Sequence, residues 1–191
     1  MNTLKSINSG KVYLDLNITN WLHNKVTTSD KRIFGSMIPN KNDPTKVNVI
    51  IESIHLCPKP LIKIGKKTCD HKIYSRILFH THPTGSIIYP SANDIIFLNY
   101  NKKVLSTSII ATSIGIWILT NNYINPNSVN ANAKNEIQQQ LNKIINFNTA
   151  SNNYAILNDI IMNISKIMDM NIDFYPWVSL NNNFVKILIN F

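Results

Sequence analysis

Glutamate occurs only twice in these 191 residues, at Glu52 and Glu136; arginine also occurs twice, at Arg32 and Arg76, and so does cysteine, at Cys57 and Cys69. Two cysteines make no disulfide framework, so both read as thiols in a reducing compartment. Taken with His55 and His71, they also lack any CxxC or HxxxH spacing, which argues against a structural zinc site built from them. Five glycines leave no Gly/Ser-rich linker, and the chain has no repeat or low-complexity tract beyond a general abundance of Asn. No apolar run approaches the roughly 20 residues that cross a bilayer. Lys5 and Lys11 are not followed by the apolar core of a secretory signal. The expectation is an intracellular protein, cytoplasmic or nuclear, with no membrane partner. The bias toward Asn, Ile and Lys fits an AT-rich genome, such as that of a large virus acting in host cytoplasm or of an intracellular parasite.

The scarcity of acid leaves a formal charge of +9. Clustered cations of this kind gain affinity for phosphate by counterion release. Here seventeen of the nineteen basic residues are lysines scattered along the chain, and Lys66-Lys67 and Lys102-Lys103 are the only adjacent lysine pairs. No aromatic-interleaved basic stripe is present. The charge therefore reads as a solvated basic surface, and specific nucleic-acid binding is not expected.

What is there is organised by pattern. RIFGSMI at 32–38 and VNVIIESIHL at 47–56 read as two strands of a hairpin turned by PNKNDPT. KIYSRILFHTH at 72–82 is a further strand, PTGSIIYPSAN a loop and DIIFLNY a short helix. VLSTSIIAT and GIWILT form a second hairpin. Residues 11–26 are either strand or helix. From about Asn130 the period becomes helical, through Ile137, Leu141 and Ile144, then Leu157, Ile160, Ile161, Ile164, Ile167 and Met168. FYPWV and FVKILINF read as a last hairpin. Two units follow: 1–125, a metal-binding domain, and 126–191, a helical extension with a terminal hairpin. Trp117, Tyr175 and Trp177 are candidates for a partner groove or, as strand aromatics usually are, for core.

Chemistry concentrates in FHTHPTGSIIYPSAND, residues 79–94. Residues two apart on a strand share a face, so His80 and His82 project together. Pro83 ends the strand, seven residues of loop lead to Ser91, and Asp94 falls in the first turn of the next helix. Two imidazoles and a carboxylate are the usual protein ligands of a catalytic zinc, the fourth position being left to water. Ser91 and Asp94 also have the S-x-x-D form of a capping box, and both roles can coexist.

His80, His82, Pro83, Ser91 and Asp94, in this order and spacing, resemble the signature of the JAMM/MPN (JAB-domain) metalloproteases. That family includes zinc deubiquitinases of the proteasome lid and of endosomal sorting. The resemblance extends more loosely from about Val12 to Tyr123. It implies an α/β fold of MPN (cytidine-deaminase-like) type, with a mixed, mostly antiparallel sheet flanked by helices. It also implies one zinc ion on His80, His82 and Asp94, with Ser91 steadying the attacking water or the developing oxyanion. The implied activity is peptide or isopeptide hydrolysis on ubiquitin or a ubiquitin-like protein. A heterodimer with another MPN chain through the helices after 130 is a further implication.

The pattern breaks at one place. The family's peptidases carry a general-base glutamate three residues before a glycine in the first core strand. Gly35 fits that glycine, but Arg32 stands where the glutamate should be, and a guanidinium cannot serve as a base. KRIFGSM in this respect resembles the non-catalytic MPN subunits of the proteasome lid and of translation initiation factor three. A catalytically inactive metal-binding scaffold is therefore the alternative function. Glu52 is the candidate for a relocated base, expected opposite Phe34 and diagonal to Arg32, where it would either move the proton or form an ion pair with Arg32. Asp30 and Glu136 are the remaining candidates, and a one-residue slip of the hairpin would reverse the facing.

Overall fold

Asp15 types the segment that periodicity left open. Strand β1 (Gly10–Leu14) stops there, and the Asp15 carboxylate accepts the Ile18 amide at 2.9 Å, capping helix α1 (Leu16–Thr28). Ile18, Leu22 and Val26, four residues apart, form the buried stripe of that helix. The structure, a computed structural model, describes residues 10–39, 49–57, 76–122, 132–145, 154–177, 180 and 185–189.

Strands β2 (Arg32–Pro39) and β3 (Val49–Cys57) pair antiparallel, as the first expected hairpin requires. The turn between them lies outside the described residues, as does 72–75 of the third expected strand. Strand β4 (Ile77–Thr81) runs antiparallel to β2 and parallel to β5 (Thr107–Ala111), with helix α2 (Ala92–Tyr100) on the crossover. β5 and β6 (Gly115–Asn121) form the second expected hairpin. Helices α3 (Ala133–Ile145) and α4 (Tyr154–Met168) follow, then β7 (Met170–Pro176) and β8 (Val185–Ile189). The main sheet has six strands in the order β3-β2-β4-β5-β6-β7, and β1 and β8 make a separate antiparallel pair. The fold is α/β with a mixed, mostly antiparallel sheet, since β4–β5 is its single parallel pairing.

The terminal hairpin expected from FYPWV and FVKILINF does not form. β7 instead pairs along the whole of β6, and β8 pairs with β1. The reason is burial: every residue of β6 is buried, so its outer edge needs a covering strand, and β7 supplies one, with Met170 and Ile172 inward and Asn171 and Asp173 outward. The fit at the end of this pairing is tight. A Cβ on Gly115 would run into the Tyr175 carbonyl oxygen.

Helices cover both faces of the sheet. Ile110, Trp117 and Leu119 pack with α2 and with Ile137, Leu141, Ile160, Ile164 and Met168 of α3 and α4. On the other face Ile109, Ala111, Ile116 and Ile118 join Leu14, Leu22 and Val26. This two-sided cover explains why β5 and β6 read as continuous apolar runs instead of alternating. The helices beyond residue 125 share the core of the preceding strands. Among the described residues no helix is long and apolar enough to cross a membrane.

Candidate metal centre

β4 lies between two partners, and this fixes its histidines. His80 stands opposite Phe34 of β2 and Ile110 of β5. The ladder continues past the strand end, because Thr81 Oγ1 accepts the Ile33 amide at 3.0 Å and the His82 amide donates to Ala111 O at 2.7 Å. Beyond Pro83, where strand pairing stops, other bonds hold the loop. The Thr84 amide and hydroxyl both reach Val26 O, at 3.1 and 3.2 Å, and Trp117 Nε1 donates to Ile88 O at 3.0 Å. Gly85 takes the left-handed conformation (φ +88°) that this turn needs. The loop also presents Ile87 O to His82 Nδ1 at 3.1 Å. A carbonyl can only accept, so Nδ1 carries a proton, and in the neutral tautomer this selects Nε2 holds a lone pair.

That lone pair faces the other two groups. His82 Nε2 is 3.1 Å from His80 Nε2 and 3.5 Å from Asp94 Oδ2, while His80 Nε2 is 3.4 Å from Asp94 Oδ1. Each of the three residues is buried, and their ligand atoms lie within 4.8 Å of one another, so the group could hold a metal ion. Asp94 is fixed from its helix. The Ser91 amide and hydroxyl donate to Asp94 Oδ2 at 2.8 and 2.7 Å, and Ser91 Oγ accepts the Asp94 amide at 3.2 Å. The capping box written in S-x-x-D is formed. In this geometry the Ser91 hydroxyl proton is engaged with the carboxylate.

Burial lowers the pKa of His80; Asp94 opposes this, and the neighbouring His82 and Arg32 lower it further. The ring is therefore neutral and able to coordinate, and Phe34 stacks on it at 5.3 Å. Burial alone would raise the Asp94 carboxyl, but the two imidazoles outweigh it and hold the group well below the usual carboxylate range. An ionised carboxylate beside a neutral His80 ring is the protonation state that a divalent cation requires.

Compared with family models, curated proteins and solved structures, the chain matches none. The site is thus read from its geometry.

Register corrects the expected place of Glu52. His55, not Glu52, stands opposite Phe34, and Glu52 falls at the β-bulge between Ser36↔Ser53 and Met37↔Ile51. Three residues from His55 is about 10 Å along a strand, which carries the Glu52 backbone away from the level of the histidines. The extra residue of the bulge accounts for one position of that shift. Asp30 and Glu136 are exposed, outside the cluster. Arg32 is the residue at the histidine level. It lies two residues before Phe34 on the same face of β2, and its charge is felt at His80.

Trp117 is core and loop anchor, and Trp177 donates to Thr112 O at 2.9 Å and packs at a tilt against His23, so neither forms a free groove. Cys69 and His71 lie outside the described residues. Sequence reasoning missed three supports of the site: Phe34, the Ile87 carbonyl and Trp117. Only Phe34 had a signal, its alternation with Arg32 on the strand facing β4.

Proposed function

We propose that this chain is a zinc metallohydrolase of JAMM/MPN type acting on peptide or isopeptide bonds, with a ubiquitin-like conjugate as the expected substrate class. The observation that carries the reading is the convergence of His80, His82 and Asp94. Ligands about 2.0–2.1 Å from a tetrahedral zinc ion stand about 3.3 Å apart; here the two Nε2 atoms are 3.1 Å apart, Asp94 meets His80 through Oδ1 at 3.4 Å and His82 through Oδ2 at 3.5 Å, and one ligand atom from each residue lies within 4.8 Å of the others. A zinc ion held there would acidify a water and polarise the scissile carbonyl. The chain's own part is orientation: Ile87 sets His82, Ser91 sets Asp94, and Phe34 shields His80.

Arg32 favours a second reading, a centre that binds metal without hydrolysis and serves as a scaffold subunit. A guanidinium does not accept a proton at any working pH, and among the described residues no carboxylate besides Asp94 joins the cluster. One experiment separates the readings. The protein is purified without a zinc-binding tag, and zinc per chain is measured alongside cleavage of di-ubiquitin reporters with and without chelator. One zinc per chain with chelator-sensitive cleavage, both lost in a folded His80→Ala, His82→Ala variant, supports the hydrolase. Zinc without cleavage supports the scaffold, and a chain that takes up no zinc refutes both.

A further inference from the structure

Arg32 opens β2 beside the metal cluster, and two features distinguish it from a surface arginine. Its Nε is shut off from solvent and has no hydrogen-bond partner among the described residues. Its side chain also lies on the face of β2 that carries Phe34, which stacks on His80, and the antiparallel register that sets Phe34 opposite His80 brings Arg32 level with His82. A buried donor of a charged group left unpaired is costly, and such groups are ordinarily matched by an acceptor.

We propose that Arg32 is a recognition residue for a carboxylate-bearing ligand, holding one carboxylate next to the ion that His80, His82 and Asp94 bind. The planar fork of a guanidinium matches a carboxylate with two parallel hydrogen bonds. A single guanidinium also matches a single negative charge. Phosphate would need further donors, and the helix terminus that could supply them is engaged: at the start of α2 the Asp94 amide is bonded to Ser91 Oγ, and the Asp94 carboxylate faces the site. The chemistry the fork selects is a single free carboxylate, which on the hydrolase reading is the C-terminal carboxylate of a peptide, bound as substrate or as released product. This assignment rests on the metal-centre reading for its second anchor, while Arg32 itself is independent of it.

The test uses the full chain, zinc-loaded and zinc-free, with N-acetyl-dialanine, its carboxamide and inorganic phosphate as probes. Affinity is read by calorimetry and zinc content by elemental analysis. The free acid should bind the loaded protein at least tenfold more tightly than the amide, and Arg32→Gln should abolish that preference while keeping its zinc. Arg32→Lys, which keeps the charge but not the fork, should recover only part of it. Equal binding of acid and amide, equal binding by Arg32→Gln, or preference for phosphate overturns the proposal. If the wild type takes up no zinc but still binds the acid through Arg32, the metal reading fails and this one stands. A variant that is misfolded by circular dichroism is replaced by Arg32→Lys, whose unchanged preference would likewise overturn the bidentate assignment.

Discussion

Removing one oxygen atom at Ser91 should weaken both the fold and the metal site, by amounts the geometry sets. In Ser91→Ala the Asp94 amide loses its acceptor at 3.2 Å, and Asp94 Oδ2 loses its donor at 2.7 Å. Loss of an N-cap costs about 1 kcal/mol. Loss of the hydroxyl bond to a buried, ionised carboxylate adds about 1 kcal/mol, less than the full penalty because the Ser91 amide still donates at 2.8 Å. The sum, about 2 kcal/mol, lowers the melting temperature of a chain of this size by about 4–8 °C. The carboxylate is then held by the Ser91 amide alone, with one of its two orienting bonds gone, and zinc affinity should fall about 10-fold, the lower end of what removing a group that orients a ligand costs. Thermal unfolding of the metal-free protein gives the first quantity, and zinc competition against a chelator gives the second. Ser91→Thr, which keeps the hydroxyl, should stay near wild type in both. Unchanged zinc affinity in a folded Ser91→Ala would refute the coupling of cap to ligand, and an unchanged melting temperature would refute the cap's contribution.

Acid should destabilise the metal-free protein through two groups of the same sign. His80 and Asp94 are both depressed in the folded state, so each contributes stability above its unfolded value, about 6.5 and 3.9 respectively, and loses it as pH falls through its folded value. Urea midpoints should therefore decline from about pH 6.5 downward, and His80→Asn should flatten the upper part of that decline; a flat wild-type profile would contradict the assignment. Trp117→Phe removes the bond to Ile88 O, costing about 1 kcal/mol. It should also loosen the loop that presents Ile87 to His82, so zinc affinity should fall together with the melting temperature. Gly115→Ala drives a methyl into the Tyr175 carbonyl, so the β6–β7 pairing must shift, at about 3 kcal/mol; denaturant unfolding with less than 1 kcal/mol of change would refute the tight approach.

The centre was legible because every rule behind it is local. A period of two puts His80 and His82 on one face, and S-x-x-D writes the capping box, each within a few residues. α1 was equally local, with Asp15 before apolar residues at 18, 22 and 26, but the preceding VYL obscured the boundary between strand and helix. What could not be read was long-range pairing. The preference of β7 for β6 over β8 follows from the burial of β6 on both faces, which no short window reveals. The place of Glu52 depended on the register of β3 against β2, which a bulge offsets at one end and which is equally hidden from a short window.

All three candidate ligand residues fall between positions 80 and 94, on one β–α unit whose strand pairs with β2 on one edge and β5 on the other. A site gathered from so short a stretch closes only a small loop, so it can assemble early in folding, before the long-range closure of β7 onto β6. An ion captured at that stage would stabilise the folding transition state as well as the final fold. Bound metal should then speed refolding, where a ligand gripped by distant strands would only slow unfolding.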